Sequence, residues 1–316
     1  SALRRAAAAY EEAYHKAGGG YFPAINVASL LALAGQTDAA DWARKARRTA
    51  EREDSYYAFA TIAEANLVEA EPGAAAEALA QAVRAPGANM AAMSTTRRQL
   101  GALVAARGYD PHLLDVLEPP AVAHFCGHIV RPEGRFPHTE LERATRDITA
   151  LMEAENIGFA AGSLAAGADI LLAEAVLARG GELDVVLPFG KEEFIDVSVR
   201  PSGESWVERF ETCIARAKDV HFVTEDAYLG HDQLFNYASH YAIGLARLRA
   251  DMLGARLCQI AIWDGEPNHP TDAAGTAIDL GRGLALGLEQ HLVPSRSGLV
   301  LGRPGRVAQI RTRDQG

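Results

Sequence analysis

The run from Ile157 to Gly190, IGFAAGSLAAGADILLAEAVLARGGELDVVLPFG, constrains the fold more than any other stretch of the chain. It opens on a short apolar segment, Ile157 to Ala161, and passes through a small-residue turn bracketed by Gly162 and Gly167. From Ala168 to Arg179 the apolar residues Ile170, Leu171, Ala173, Val176 and Leu177 recur at helical spacing. Gly180 and Gly181 stop the helix, and Val185, Val186 and Leu187 form a second apolar run. Continuous rather than alternating hydrophobics mark strands covered on both faces, as in parallel sheets. The stretch therefore predicts a βαβ crossover whose turn sets backbone N–H groups at a helix N-terminus, where they and the helix dipole attract anions such as phosphate.

Length and composition set the frame around this unit. At 316 residues the chain is expected to form two domains. An apolar content of 48% with 23% charged residues is ordinary for a soluble globular protein, and no run approaches the roughly 18 apolar residues of a membrane span. The formal charge of −10 argues against nonspecific nucleic-acid binding, which depends on Lys and Arg neutralising phosphates. Cys126, Cys213 and Cys258 show no paired spacing, so a reducing, cytoplasmic setting is expected rather than a disulfide framework. The opening residues read as an amphipathic helix without a signal peptide's apolar core.

Residues 1 to 118 carry almost no strand signal. Breaks at Gly18 to Gly20, around Thr37, at Pro72-Gly73 and at Pro86-Gly87 divide an Ala-, Leu- and Glu-rich segment into short helices. Two blocks, from Ile25 and from Ala60, each read as helix, tight turn and Ala-rich helix. Their spacing resembles tetratricopeptide repeats, whose usual period is about 34 residues. An irregular helical bundle is the alternative. Either arrangement implies a surface for a protein partner or a neighbouring domain.

Pro119-Pro120 ends the helical region, since consecutive prolines cannot continue a helix. From there to residue 316, strands are expected at Ala121 to Cys126, at 157, at 184, at Val220 to Thr224 and at Cys258 to Trp263. Helices are expected near Thr139, over Glu204 to Ala217, from about His231 to Leu253, and from Gly275-Thr276. The fold class is thus α/β: an all-α helical-repeat region, then a doubly wound, mostly parallel, Rossmann-like sheet. Ligands of such sheets sit beyond the carboxyl ends of the strands. Those ends carry Gly127-His128, Gly162-Ser163, Pro188-Phe189-Gly190-Lys191, Thr224-Glu225-Asp226 and Trp263-Asp264-Gly265.

The Gly162-Ser163 turn, Gly167-Ala168-Asp169 at the helix start and Gly180-Gly181 before the next strand resemble the central segment of the SLOG superfamily. That Rossmann-like group includes the DNA-processing protein DprA and the LOG cytokinin-activating enzymes. Gly275-Thr276-Ala277-Ile278-Asp279 is similar to the LOG Gly-Thr-x-x-Glu motif, with Asp in place of Glu. The wider order, helical repeats of tetratricopeptide or TRAF-binding type, a GH…RFP loop (Gly127, His128, Arg135, Phe136, Pro137) and this unit, is similar to regulatory regions of bacterial signalling proteins such as nucleotide cyclases. It is more distantly similar to the regulatory region of apoptosis-signal-regulating kinases.

The resemblance implies a nucleotide-like ligand held by Gly127, His128, Arg135, Gly162, Ser163, Gly167, Asp169, Pro188, Phe189, Lys191, Asp264, Gly275, Thr276 and Asp279. Departures weaken turnover more than binding. Ala166 stands where related turns often carry Arg, a longer loop from Asp264 to Ala274 replaces the tight LOG loop, and Asp279 is one methylene short. A shift of about 1 Å in a reacting group is costly to catalysis.

Several residues keep a structural alternative. Asp169 is a ribose ligand or a carboxylate favouring a helix N-terminus, and Thr276 a phosphate ligand or a plain cap. Arg135 is a phosphate clamp or an ion-pair partner of Glu133 or Glu140. Lys191 faces a ligand or solvent, and Glu174 reaches the crevice or stays on its helix. Tyr237 and Tyr241 are expected in the core. His124 and His128 lack a third metal ligand at suitable spacing. The expected function is a noncatalytic sensor of a nucleotide-derived signal, without metal or other cofactor. The helical repeats would relay occupancy to a protein partner, and a homo-oligomer is compatible. The alternatives are a LOG-like hydrolase of nucleoside monophosphates, with Asp279 or Glu174 as acid/base and Arg135 on phosphate, and a structural scaffold.

Overall fold

The computed structural model describes residues 1–225, 228, 230, 232–267 and 274–299. Asp226, His231 and residues 268–273 of the loop between Asp264 and Ala274, all parts of the sequence reading, lie outside the described residues. The chain divides into two compact units, Ser1–Pro119 and Pro120–Gly316.

The first unit is helical: α1 (Ala2–Lys16), α2 (Tyr21–Leu33), α3 (Ala39–Ala50), α4 (Tyr56–Val68), α5 (Pro72–Ala82) and α6 (Met90–Arg107), followed by a 3₁₀ segment at Pro111–Leu117. Local chemistry sets several boundaries. Ser55 and Asn89 cap α4 and α6 by accepting from the amides of Ala58 and Ala92. Pro72 starts α5, where its missing N–H costs nothing, and Gly108 ends α6 in the left-handed conformation. The small residues Ala28, Ala43, Ala46, Ala63 and Ala75 are fully buried, so neighbouring helices approach closely. Between α2, α4 and α6 lies a buried carboxylate, Glu64. The Ser29 hydroxyl donates to it at 2.5 Å and the Gln99 amide at 2.8 and 3.0 Å. Burial pushes its pKa up to about 7, against those hydrogen bonds.

The second unit is α/β. Six parallel strands, β1 (Ala121–Gly127), β2 (Ile157–Gly162), β3 (Glu182–Leu187), β4 (Asp219–Phe222), β5 (Leu257–Trp263) and β6 (Glu289–Pro294), pair in the order β4-β3-β2-β1-β5-β6. The connecting helices are α7 (Leu141–Ala154), α8 (Ala168–Ala178), the short α9 (Lys191–Phe194) running into a π turn, α10 (Glu204–Arg216), α11 (Gln233–Leu253) and α12 (Thr276–Ala285). The strand at 289–294 adds to the five expected from sequence. Its exposed Glu289 and half-buried His291 break the apolar run that marks the inner strands. Val185, Leu187, Ile260 and Ile262, from strands covered on both sides, are fully buried at the centre of the main core.

Counting outward, the chain adds β2, β3 and β4 to one side of β1 and then returns to place β5 on the other. The order therefore reverses between β1 and β5, and open α/β sheets bind ligands beyond the carboxyl ends of their strands at such a reversal. Among the described residues, no helix is long and apolar enough to cross a membrane.

Candidate functional site

A cavity of about 530 Å³ opens at that reversal. This is within the range of small-molecule sites, roughly 300–1,000 Å³. Strand β1 and its loop contribute His124 to Ile129, Arg131 and Arg135. The turn after β2 contributes Ser163, Ala165 and Asp169, and the start of α12 contributes Gly275, Thr276 and Asp279. Phe194, Ser198 and the α11 residues Phe235, Ala238, Ser239 and Ala242 complete the wall.

One rim is built by an ionic fork. The Arg135 guanidinium donates to both carboxylate oxygens of Asp264, at 2.6 Å each, and to the Glu266 carbonyl at 2.5 Å. His128 Nε2 lies 3.1 Å from the same carboxylate, and its Nδ1 lies 3.4 Å from the Thr276 hydroxyl. The ring thus links the β5 loop to the start of α12. Burial, with the charge of Arg135 beside it, lowers the His128 pKa in spite of Asp264. Burial works against the Asp264 charge, but hydrogen bonds from Arg135, the Glu266 amide and His128 outweigh it and hold the carboxyl below its usual range. Arg135 therefore pairs with Asp264, far from it in sequence. Glu140 pairs with Arg143 instead.

The floor carries two carboxylates. Asp169, 8% exposed, accepts from the Ala165 amide at 3.2 Å. Burial pushes its pKa up to about 7, with the negative charge of Asp279 adding to the effect. Asp279 accepts from the Ser239 hydroxyl at 2.5 Å and from Arg282 at 2.8 Å, and burial raises its pKa despite both. Helix α12 is held in place from below by amide side chains. Gln259, fully buried on β5, donates to the Asp279 carbonyl at 2.9 Å, and Gln290 on β6 donates to the Leu280 carbonyl and to Gln259. Gly283 is required here, since a Cβ would sit 2.0 Å from the Gln259 side-chain oxygen. Beside Gln259, burial and the Arg282 charge push the His124 pKa down to about 3, so that ring is neutral.

The glycine turn after β2 has a different job from the one its sequence suggests. The Ala168 amide donates to the His128 carbonyl, the Ala166 amide to the Ser198 carbonyl, the Ala165 amide to Asp169, and the Val130 amide to the Ala166 carbonyl. These groups stitch the turn to the β1 loop and the π turn. Gly167, at φ +111°, touches that loop so closely that a Cβ would lie 2.5 Å from the Val130 nitrogen. Gly162 is dictated by the Phe125 ring, which an added Cβ would meet at 2.5 Å. Both glycines shape the site from behind.

Of the residues singled out in the sequence, the cavity brings together Gly127, His128, Arg135, Ser163, Asp169, Gly275, Thr276 and Asp279. It does not bring in Gly162, Gly167, Pro188, Phe189, Lys191 or Asp264 as lining, although Asp264 anchors two residues that do line it. Phe189 is fully buried and stacks on Tyr228, with ring centroids 4.7 Å apart. Lys191 is paired with Glu211 at 2.9 Å, and Glu174 with Arg209. Tyr237 and Tyr241, expected in the core, are exposed on α11. Sequence reasoning missed Phe194, Ser198, Phe235, Ala238, Ser239 and Ala242. The only available signal was the small-residue face of α11 at 238, 239 and 242. Among the described residues, no group of three His, Cys, Asp or Glu side chains is arranged to hold a metal ion.

Comparison of the chain with protein-family models, curated proteins and solved structures found no match.

Proposed function

We propose that the second unit is a noncatalytic sensor that binds a nucleotide or nucleotide-derived ligand in the cavity at the carboxyl end of β1, between the turn after β2 and the start of α12. In this proposal the helical unit, read as tetratricopeptide-like, relays occupancy to a protein partner or fused effector. One observation carries the reading: the reversal of strand order coincides with a ligand-sized cavity whose polar groups converge from three strand ends and the start of a helix. The half-buried aromatic side chain of Phe235 offers an apolar wall to a flat base. Asp169 and Asp279 suit the hydroxyls of a sugar, and Arg131 and Arg135 a phosphate.

The charge balance narrows the ligand further. Among the described lining residues are two arginines, one of them forked onto Asp264, and the carboxylates Asp169, Asp232 and Asp279, the last paired with Arg282. A ligand with one phosphate or none fits that balance better than a triphosphate. The repeat reading of the helical unit is supported by two successive hairpins, α2 with α3 and α4 with α5. Ser29 and Glu64, which are hydrogen-bonded to each other, occupy equivalent places in α2 and α4, 35 residues apart.

The test is a melting series with nucleosides, nucleoside monophosphates and triphosphates. A ligand at 100 times its Kd adds about 2.7 kcal/mol. The reading expects the largest shift from a nucleoside or monophosphate, and no shift from any member of the series contradicts it.

A hydrolase acting on nucleoside monophosphates is the second reading, favoured by two carboxylates facing one cavity, one with a pKa near neutrality. Glu174 has no part in it, being paired with Arg209. Release of free base, lost in Asp279→Asn, distinguishes it from the sensor.

A further inference from the structure

Helix α11 presents two faces. Ala238, Ala242, Ala246 and Ala250 are buried. On the other side Tyr237, Tyr241, Leu248 and Met252 are 61%, 44%, 58% and 63% exposed, large values for side chains of this size. At about 100° per residue these four and Gly244 fall within an arc of roughly 80°, so they form one stripe along the helix. An added Cβ at Gly244 would meet nothing within 4 Å, so the middle of the stripe is open.

The order of residues in the stripe is close to a palindrome. Reflected about the peptide that joins Gly244 to Leu245, Tyr241 maps onto Leu248 and Tyr237 onto Met252. A second α11 laid antiparallel across the first sets Tyr241 of each copy against Leu248 of the other, and Tyr237 against Met252. Gly244 falls at the crossing, where a missing side chain lets the axes approach to the low end of the usual 8–10 Å. The polar exposed residues His240, Arg247 and Asp251 all lie on one flank of the stripe. Within each helix Arg247 pairs with Asp251 at 3.0 Å, and an antiparallel copy brings that flank against its own equivalent, with this pair near His240 of the other chain. Each contact is made twice, as a two-fold interface requires.

We infer that the exposed face of α11 is a homodimer interface, closed by a second copy of this chain in antiparallel register about Gly244. The stripe spans about 22 Å of helix, which places the interface among the small, weakly associating class.

Sedimentation velocity of the full chain tests this inference over concentrations from about 1 to 100 μM, the range in which such interfaces half-saturate. The mass is expected to double across that range, and Leu248→Glu or Tyr241→Glu is expected to hold the chain monomeric with its melting temperature unchanged. Gly244→Cys adds a geometric test: the antiparallel register brings two copies of that position together and holds two copies of Leu248→Cys about 10 Å apart along the helix, whereas a parallel pair would cross-link at both. Under mild oxidation Gly244→Cys is expected to give a covalent dimer that Leu248→Glu suppresses. A chain monomeric throughout overturns the inference. A dimer indifferent to Leu248→Glu and not captured by Gly244→Cys overturns it equally.

Discussion

Buried carboxylates occur in both units, and their surroundings differ in one decisive respect. Glu64 in the helical unit and Asp169 in the α/β unit both have pKa values raised by burial to about 7. Glu64 meets Ser29 and Gln99, which occupy both of its oxygens. Asp169 has the Ala165 amide on one oxygen and faces a cavity that it shares with Asp279. A raised pKa alone therefore does not mark a site. Of these two described carboxylates, Asp169 joins a raised pKa to space that a ligand can enter, whereas Glu64 does not line that cavity.

The largest expected effect breaks the wall of that space. Gly167→Val adds a side chain at φ +111° against the Val130 nitrogen and the His128 carbonyl, 2.5 and 2.8 Å from the new Cβ. It is expected to cost about 4 kcal/mol or more in denaturant unfolding, from strain and backbone clash together. A loss below about 1 kcal/mol would show that the turn is not stitched to the β1 loop as described.

Next in size is the pH response of Glu64. Its folded pKa of about 7 lies above the usual 4.5, so the folded state holds the proton more tightly than the unfolded one. Stability is then highest below pH 4.5, falls as pH rises toward about 7, and levels off beyond it. Glu64→Gln is expected to remove that fall, about 3 kcal/mol across the window. Asp169→Asn should remove a slope of the same sign while also altering ligand affinity. An affinity change of equal size in Glu64→Gln would erase the distinction between the two carboxylates.

Asp264 has the opposite sign. Its folded pKa is depressed below the usual 3.8, so its contribution is present above that pH and lost as pH falls below it. Asp264→Asn is expected to cost about 2 kcal/mol at pH 7. The gap to the wild type should narrow in acid, which chemical denaturation at pH 7 and pH 3 would resolve. The smallest effect belongs to Lys191, whose Glu211 pair lies near the surface. Lys191→Ala is expected to change stability by less than about 0.5 kcal/mol and ligand affinity not at all.

How far the sequence reached follows from the range of the forces involved. Inner strands β1, β2, β3 and β5 announce themselves because both faces are buried and the apolar run is continuous. The edge strand β6 does not, because Glu289 and His291 break the pattern. Cavity-lining residues near strand ends, such as His128, Ser163 and Asp169, were legible because parallel topology gathers those ends on one side. The α11 wall at Phe235, Ala238 and Ala242 was not, since it depends on which helix the sheet draws across its end. Tyr237 and Tyr241 were misplaced for a related reason: their aromatic character suggested burial, but the alanines of α11 form its buried face. Arg135 likewise found its partner 129 residues away in Asp264, where local spacing had pointed to nearby glutamates.

The most direct test of the cavity as a ligand site is calorimetric titration of the best nucleoside or monophosphate from the melting series into wild type and Ala165→Trp. Ala165 is partly buried and lines the cavity, so the indole is expected to fill it from the turn after β2 and leave the ionic fork at Arg135 untouched. One saturable site per chain in the wild type and none in the variant is the predicted result. Equal binding to both would contradict the account.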